Sequence, residues 1–304
     1  TLYYNDGTGQ FSVASDVSSA LANVRNGTAD FADVNGDGRL DILLTGTNGS
    51  GTPITRLYTN DGGSLDDGSL TITEQVEAAP ASGFENSAVA RGDLDADGDL
   101  DLIAAGDTTG SNDRATVLYE NDGSGNFTAA PTPSSAFVDV ENGTVDFGDV
   151  NGDDTLDVVV TGVDGGGSPT TTVYEYDNGT YTSTSLSPGV TNSAVDLGDA
   201  TGNGVPDLVV TGSDGSFGQV AEFFTNGGEG SFTSEQVLSP AVENGTADFV
   251  DVDGDGDLDL VTTGNDGDMI PYATVYEYDA ADSPPYSIVG TRQVTPTTSS
   301  ASAV

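Results

Sequence analysis

A nine-residue acidic segment that occurs five times is the feature that most constrains the fold of this chain. The copies read DVNGDGRLD from Asp33, DLDADGDLD from Asp93, DVNGDDTLD from Asp149, DATGNGVPD from Asp199 and DVDGDGDLD from Asp251. Their first residues lie 60, 56, 50 and 52 positions apart. A repeat of this length is typical of solenoids, propellers and arrays, in which every unit is one supersecondary element. We therefore expect a repeat assembly and not an ordinary globular fold.

The residues around each nonapeptide predict four β-strands per repeat. A short alternating stretch, such as residues 28–32, precedes the nonapeptide and indicates a half-buried strand. An uninterrupted apolar run follows it and indicates a strand buried on both faces. A third strand carries an aromatic residue, and in three repeats it leads into a turn such as Asn60-Asp61-Gly62 before a weaker fourth strand. Four-stranded repeating units without helical periodicity are typical of the blades of a β-propeller.

The spacing of the repeats predicts one all-β propeller domain over residues 1–295. Five complete four-stranded blades are expected at about 21–80, 81–137, 138–188, 189–240 and 241–295, with a polar C-terminal tail over 296–304. Residues 1–20 match a third and a fourth strand, so they predict an N-terminal half blade and about six blade positions. Five or seven positions remain open, and so do a cut from a longer protein, completion by a neighbouring subunit, and closure around a reduced blade.

Oxygen-bearing side chains occupy positions 1, 3, 5 and 9 of every nonapeptide. Hard oxygen ligands on alternate residues are typical of calcium-binding loops, and position 7 is expected to add its backbone carbonyl. An EF-hand also needs Glu at position 12 and flanking helices, which this pattern lacks, so the predicted site lies in a strand–loop–strand unit. The predicted ligand residues are Asp33, Asn35, Asp37, Arg39 and Asp41 in loop 1; Asp93, Asp95, Asp97, Asp99 and Asp101 in loop 2; Asp149, Asn151, Asp153, Thr155 and Asp157 in loop 3; Asp199, Thr201, Asn203, Val205 and Asp207 in loop 4; and Asp251, Asp253, Asp255, Asp257 and Asp259 in loop 5.

Two features of the loops lead to further expectations. Gly at position 6 permits a sharp turn, and Asp154, which replaces it in loop 3, tolerates positive φ better than most residues. Loop 4 has only two carboxylates, so we expect its calcium affinity to be the weakest of the five. Acidic turns that merely connect strands are the alternative, and five copies in register argue against it. We expect about five Ca²⁺ ions that act as structural staples.

The run from Asp30 to Asp41, DFADVNGDGRLD, resembles the FG-GAP/VCBS repeat of integrin α-subunit propellers and of many secreted microbial proteins. The resemblance covers residues 1 to about 295. It implies a β-propeller with calcium in the loop between the first and second strands of a blade. It also implies functions as diverse as adhesion, ligand binding and support of carbohydrate-active enzymes, and the fold alone does not choose among them.

The composition narrows the classes of partner and reaction. The chain has 50 acidic residues, six Arg and no Lys or His, for a net charge of −44. Such a surface repels nucleic acid and anionic membranes. The Asp-rich, Lys-free composition resembles that of proteins of halophilic archaea, and a secreted calcium-rich protein of a marine bacterium is the alternative. No apolar run is long enough to span a membrane, so direct membrane insertion is not expected. Without His, Lys or Cys there is no Ser-His-Asp triad, Schiff base or thiol nucleophile. With 50 acids the sequence neither nominates nor excludes a catalytic carboxylate pair such as glycosidases use, and we expect no enzymatic activity.

Three functional hypotheses remain at this stage. The first is a calcium-stabilised, non-enzymatic propeller, outside the cell or on its surface, that acts in adhesion or as an assembly scaffold with a protein or glycan partner. The second is a structural subunit of an extracellular filament or surface layer, which would self-assemble through the incomplete blade. The third is a glycan-binding module attached to a carbohydrate-active protein.

Two further features of the repeats lie outside the nonapeptides. Asn occurs seven residues before every loop, and a role in a turn explains all five copies, while N-glycosylation is the alternative at Asn26, Asn142 and Asn244, which are followed by Gly-Thr. Arg91 stands where the other repeats have Phe31, Phe147, Leu197 and Phe249. An ion pair with a nearby Asp is the preferred interpretation of Arg91, and a functional channel is the alternative.

Overall fold

The repeats form antiparallel sheets in the computed structural model of the chain. The structure describes residues 1–62, 71–75, 83–95, 97–108, 113–130, 136–177, 179–216, 218–280 and 285–293. The predicted tail at 296–304 lies outside the described residues. The chain divides into two compact units: unit 1 comprises Thr1–Phe147, Asp164–Gly167 and Tyr176–Thr182, and unit 2 comprises Gly148–Val163, Ser168–Glu175 and Ser183–Val304.

Unit 1 contains the N-terminal half blade and two complete blades. The half blade is the hairpin of β1 (Tyr3–Asn5) and β2 (Phe11–Val13), followed by the helix α1 (Ser15–Ser18). The strands of the first blade are β3 (Val24–Arg25), β4 (Ala29–Ala32), β5 (Asp41–Asn48), β6 (Pro53–Gly62) and β7 (Thr71–Gln75), and β3 and β4 both pair with β5. The strands of the second blade are β8 (Glu85–Gly92), β9 (Asp101–Asp107), β10 (Arg114–Asn121) and β11 (Phe127–Ala129). The short strands β12 (Val140–Glu141) and β13 (Val145–Gly148) follow.

Unit 2 contains the later blades. It includes most of β14 (Asp157–Asp164) and β15 (Pro169–Asp177), which pair with each other, and most of β16 (Thr180–Gly198). The fourth blade continues from β16 through β17 (Asp207–Ser213), β18 (Gln219–Asn226) and β19 (Phe232–Val237). The fifth consists of β20 (Ala247–Val250), β21 (Asp259–Asn265), β22 (Pro271–Tyr278) and β23 (Tyr286–Gln293). Within the described residues, no helix has the length and apolarity that a membrane crossing requires.

The second strand of each blade lies in the core, as its uninterrupted apolar run predicts. Val158, Val159 and Val160 are completely buried, and the corresponding residues Leu208 to Val210 are buried to the same degree. These strands belong to separate hydrophobic clusters between sheets, one of them in unit 1 around Leu57 and Phe84. Burial of both faces explains why the strands do not alternate apolar and polar residues. Leu44 and Val261 are exceptions, because each is only partly buried.

The five recurrent Asn residues share a left-handed backbone conformation, which fits the predicted turn at three of them, whereas Asn86 and Asn192 lie within β8 and β16 at shifts of strand register. Their φ angles are all positive, between 48° and 56°, a region that Asn adopts more readily than most residues. Their backbones also connect successive blades: Asn86 N–H donates to Asn26 O and Asn142 N–H to Asn86 O in unit 1, and Asn244 N–H donates to Asn192 O in unit 2. The same residue therefore turns the chain and joins it to the preceding blade.

Candidate metal centres

The five nonapeptides lie between the first and second strands of their blades and share one hydrogen-bonded frame. In each loop the carboxylate at position 1 accepts a hydrogen bond from the backbone N–H at position 6. The distances to Asp33, Asp93, Asp149, Asp199 and Asp251 are 2.7, 3.1, 2.9, 2.9 and 3.2 Å. The backbone N–H at position 7 donates to the side-chain oxygen at position 5 in every loop, at 2.9 to 3.0 Å. The loops are thus five copies of one conformation as well as of one sequence pattern.

The sharp turn at position 6 has the positive φ that the sequence predicts. The angles are 84° at Gly38, 96° at Gly98, 93° at Gly204 and 100° at Gly256. Asp154 takes the same conformation in loop 3, with φ of 66°. Since Asp is one of the few non-glycine residues that tolerate this region, loop 3 keeps the frame without glycine.

The carboxylate at position 9 is buried and holds two parts of the blade together. Its exposure is 3 % or less in all five loops. One oxygen accepts from the start of its own loop, as when Val34 N–H donates to Asp41 at 3.2 Å. The other oxygen of Asp41 accepts from Asn60 N–H on the third strand at 2.7 Å. The same second contact joins Asp101 to Asn121, Asp207 to Asn226 and Asp259 to Tyr278, at 2.9, 2.8 and 3.1 Å.

Burial alters the acidity of several of these carboxyl groups. Removal from water raises the pKa of Asp101 to about 6, even though Asn121 N–H and Leu94 N–H favour its ionised form. Burial also raises the pKa of Asp41 and of Asp207 above the usual range. In loop 2, burial and the neighbouring charge of Asp97 raise the pKa of Asp95. A bound cation would offset both the desolvation and the repulsion between these carboxylates.

The donor set of the loops fits a hard divalent cation such as Ca²⁺. In loop 2 one carboxylate oxygen from each of Asp93, Asp95 and Asp101 lies within 4.8 Å of the others, and in loop 5 the same holds for Asp251, Asp253 and Asp259. One oxygen of Asp93 is buried and has no hydrogen-bond partner, which is costly unless a ligand satisfies it. The side chains at positions 1, 3, 5 and 9 and the carbonyl at position 7 would hold the ion, since Ca²⁺ takes six to eight oxygen ligands.

The side chain at position 7 lies outside this set of predicted ligand atoms, and its contacts differ between loops. Arg39 forms an ion pair with Asp37 at position 5, and its Nε donates to Asn60 O at 2.7 Å. Thr155 donates its hydroxyl to Asp153, also at position 5. In loop 1 the guanidinium of Arg39 therefore lies beside one predicted ligand, Asp37. The sequence did not suggest this contact, because the residue at position 7 varies among the loops.

Two buried asparagines each connect one loop to the blade that follows it. Sequence reasoning missed this role. Asn121 Nδ2 donates to Val34 O at 2.9 Å, and Asn226 Nδ2 donates to Val150 O at 2.7 Å. The partners are 87 and 76 residues apart in sequence. The available signal was the recurrence of Asn after the aromatic third strand, which the sequence interpretation used only as a sign of a hairpin.

Arg91 forms an ion pair with Asp30 of the preceding blade, as the preferred interpretation of the sequence predicts. In unit 2 the Asp at the position of Asp30 meets a different partner, because Asp196 accepts from Phe249 N–H at 2.6 Å. This Asp therefore joins two blades in both cases, and Arg91 supplies a side-chain donor where another repeat uses the backbone.

Comparison of the sequence with protein families finds a match to the FG-GAP-like repeat. It covers five overlapping segments, residues 1–44, 33–104, 93–160, 149–210 and 201–262. Each of the five loops falls within these segments. No curated protein matches the chain.

Solved structures with a similar fold include several fungal proteins. A triple arginine-to-alanine mutant of AofleA from Arthrobotrys oligospora is 11 % identical, with a TM-score of 0.52 over 90 % of this chain and 76 % of that one. A mutant of the Aleuria aurantia lectin in complex with alpha-methyl-L-fucoside is 12 % identical, with a TM-score of 0.47 over 90 % and 79 % of the two chains. A six-bladed fungal lectin from the same organism is 12 % identical and has a TM-score of 0.33 over 91 % of this chain and 100 % of its own. At such low identity the likeness concerns the fold alone.

Proposed function

Because this chain belongs to the FG-GAP-like repeat family, we propose that it is a non-enzymatic, calcium-stabilised adhesion module that acts outside the cell or on its surface. The chain is an all-β propeller of four-stranded blades, with five complete blades and an N-terminal half blade. In this role the loops stabilise the fold, and ligands bind to the surfaces that the blades present.

The contacts of the position 9 carboxylate are the observation on which the proposed role of calcium rests. This carboxylate already joins the loop to the third strand. An ion bound beside it would connect positions 1, 3 and 5 to the same buried group. Calcium would then cross-link the first three strands of each blade in a chain that has no cysteine. Such an ion is a staple, because all of its protein ligands come from one blade.

The absence of His, Lys and Cys from the whole sequence supports a non-enzymatic role. General acid–base and nucleophilic catalysis mostly depend on those side chains or on carboxylates with free oxygens. Most of the clustered carboxylates of the loops instead accept hydrogen bonds from the backbone of their own blade, and the unpaired oxygen of Asp93 belongs to a predicted calcium site. The remaining acids are spread along the chain.

We also propose that the protein works at high ionic strength, as the proteins of halophilic archaea do. The net charge is −44, and 19 of the 50 acids belong to the loops. The others lie outside the predicted metal sites, so calcium alone would not neutralise them. Dissolved salt screens exposed charges that metal sites do not reach.

A cavity in unit 1 favours a glycan as the ligand. It has a volume of about 360 Å³ and is lined by Tyr3 and Phe31, among others. Both residues are exposed to solvent, at 54 % and 44 %. Ligand pockets of about this volume are typically lined by aromatic residues, and the apolar faces of sugar rings pack on such rings. The fucose complexes of the similar fungal lectins are properties of those proteins and do not decide the ligand here.

A glycan array with the calcium-loaded protein tests this function. We expect selective binding that falls roughly tenfold on Phe31→Ala, equivalent to about 1.4 kcal/mol of binding free energy. Phe11→Ala is the matched control, since Phe11 is also exposed, at 68 %, but does not line the cavity. The glycan assignment fails if the array is blank, or if both variants reduce binding equally.

A further inference from the structure

Arg25 is a positive charge at a repeat position where most of the other blades have a negative one. The residue before the recurrent Asn is Glu85, Glu141 and Glu243 in the second, third and fifth blades, and Thr191 in the fourth. In the first blade it is Arg25. The chain has six Arg against 50 acids, so the composition does not account for a cation at this position. The reversal of charge therefore needs a local explanation.

The three Glu residues at this position connect their blades to the preceding ones. Each carboxylate binds a side-chain donor of the preceding blade: Thr47 Oγ1 for Glu85, the guanidinium of Arg114 for Glu141, and Asn192 Nδ2 for Glu243. In these blades the charge at this position is therefore used inside the fold.

Arg25 has no contact of this kind. Within the described residues of unit 1, its guanidinium forms no ion pair and no hydrogen bond, and the residue is exposed. Three other Arg residues are paired with acids, namely Arg39, Arg91 and Arg114. The guanidinium of Arg25 keeps its five N–H donors for a partner from solution.

Arg25 lines a cavity of about 260 Å³ together with the amides of Asn23 and Asn48. Asn48 Oδ1 accepts from Ser50 N–H and Thr52 N–H at 2.9 and 3.0 Å, and its Nδ2 has no acceptor in the described part of unit 1. Asn23 is exposed, and its side chain has no partner there either. None of the described residues that line this cavity is acidic. Its wall thus offers one cation and two amides with unused N–H groups.

This cationic cavity adjoins the cavity of Tyr3 and Phe31, because Asn23 and Val24 line both. The second cavity presents aromatic residues, on which the apolar face of a sugar ring packs. The first presents a guanidinium, which binds the paired oxygens of a carboxylate or a sulfate through two parallel N–H···O bonds. A ligand that fills both cavities therefore needs a sugar ring and an anionic group next to it.

We propose that the ligand of these cavities is an acidic glycan, an inference that rests on the glycan-binding function proposed for unit 1. Its ring packs against Phe31, and its carboxylate or sulfate accepts hydrogen bonds from the guanidinium of Arg25. The amides of Asn23 and Asn48 donate to the remaining oxygens. Arg25 is then the residue that distinguishes an acidic sugar from its neutral counterpart.

The net charge of −44 opposes the binding of any anion at long range. Dissolved salt weakens this repulsion, since the Debye length falls to about 3 Å in 1 M salt. Distant carboxylates are then screened, whereas the guanidinium of Arg25 would touch the ligand. The acidic glycan therefore binds best at the high ionic strength proposed for this protein.

A glycan array of matched pairs, probed with the calcium-loaded protein in 1 M NaCl, tests the assignment. One set compares glucuronate-terminated with glucose-terminated glycans, and another compares sulfated with unsulfated galactose-terminated glycans. We expect the acidic member of at least one pair to bind roughly tenfold more tightly, equivalent to about 1.4 kcal/mol. Arg25→Gln should abolish this preference and leave the affinity for the neutral member within about twofold. Arg292→Gln is the matched control, since Arg292 is also exposed but lines neither cavity.

A second measurement observes Arg25 directly. With only six Arg in the chain, the side-chain Nε–H signals of protein labelled with 15N-arginine are few, and the Arg25→Gln variant identifies the signal of Arg25. Sodium glucuronate should shift this signal, and methyl glucoside at equal concentration and ionic strength should not.

Three outcomes would overturn the proposal. If acidic and neutral members bind equally, or if the preference survives Arg25→Gln, the acidic assignment is wrong, and a loss of binding in Phe31→Ala would still support the glycan-binding function. An array with no bound glycan and an unshifted Arg25 signal would reject both. An Arg25→Gln variant that is less stable in urea but keeps the preference would assign Arg25 to an ion pair within the fold.

Discussion

At the scale of single residues, two requirements on the carboxyl group at position 9 favour opposite protonation states. As a predicted calcium ligand it must be ionised, and as a buried acceptor it loses its water. Asp101 illustrates the conflict, since it is 1 % exposed and burial raises its pKa to about 6. Backbone donors on two sides reduce the cost of ionisation without removing it. A bound cation would complete the compensation.

The raised pKa of Asp101 predicts how the metal-free protein responds to pH. The folded pKa exceeds the unfolded value near 3.8, so this group stabilises the fold fully below pH 3.8, and the contribution disappears as pH rises through about 6. The change amounts to about 3 kcal/mol. Urea unfolding in chelator at pH 4 to 7, for wild type and Asp101→Asn, measures it as the difference in pH slope. Parallel slopes in the absence of calcium would contradict the raised pKa.

Ligand chemistry also predicts which loop releases calcium first. Loop 4 has carboxylates only at Asp199 and Asp207, with Thr201 and Asn203 between them. Fewer charged ligands lower the affinity for Ca²⁺. In isothermal titrations, Asp199→Ala should remove the weakest binding step, whereas Asp251→Ala in loop 5 should remove a tighter one. Loss of the tightest step in the Asp199→Ala variant would count against this order.

At the scale of elements, the turn between the third and fourth strands is a connector between blades. Asn226 is 1 % exposed and its Nδ2 donates to both Val150 O and Pro206 O, while its Oδ1 accepts from Gly228 N–H. One side chain thus satisfies two carbonyls from different loops. A polar network of this kind stabilises only when all of its members are paired.

Truncation of this connector should destabilise the fold. Asn226→Ala removes the side-chain donor to Pro206 O and one of the two donors to Val150 O, which keeps Gly230 N–H, and we expect a loss of about 2 kcal/mol in the free energy of unfolding. Asn5→Ala is the matched control, since Asn5 has the same place in its hairpin but is exposed, and should cost less than about 0.5 kcal/mol. Equal losses in the two variants in chemical denaturation would show that the buried contacts do not matter.

The elements also show how far the sequence predicts the structure. Local patterns were sufficient for the buried second strands and for the turn at Asp154, because both depend on neighbours in the chain. The pairing of Arg91 was predicted because its charge stands at a position that is apolar in the other repeats. The second contact of Asp101 and the partners of Asn121 and Asn226 were not predicted. Their partners lie 20 to 87 residues away, and no local periodicity indicates which distant backbone group a polar side chain meets.

At the scale of the whole molecule, repulsion between negative charges opposes folding, and cross-linking by calcium would favour it. The chain has a net charge of −44 and no disulfide, so self-repulsion works against compaction at low salt. Five bound Ca²⁺ ions would neutralise ten of those charges at the places where carboxylates crowd together. On this account calcium and salt stabilise the same fold by different means, one through specific sites and the other through screening.

Thermal unfolding with and without chelator, at constant and low ionic strength, tests the calcium staple most directly. Each site held at a hundred times its dissociation constant adds about 2.7 kcal/mol to the free energy of unfolding. We therefore expect a steep fall in melting temperature on chelation, which calcium restores and which an equal ionic strength of NaCl does not. An unchanged melting temperature after verified removal of calcium would contradict the proposed role of all five loops.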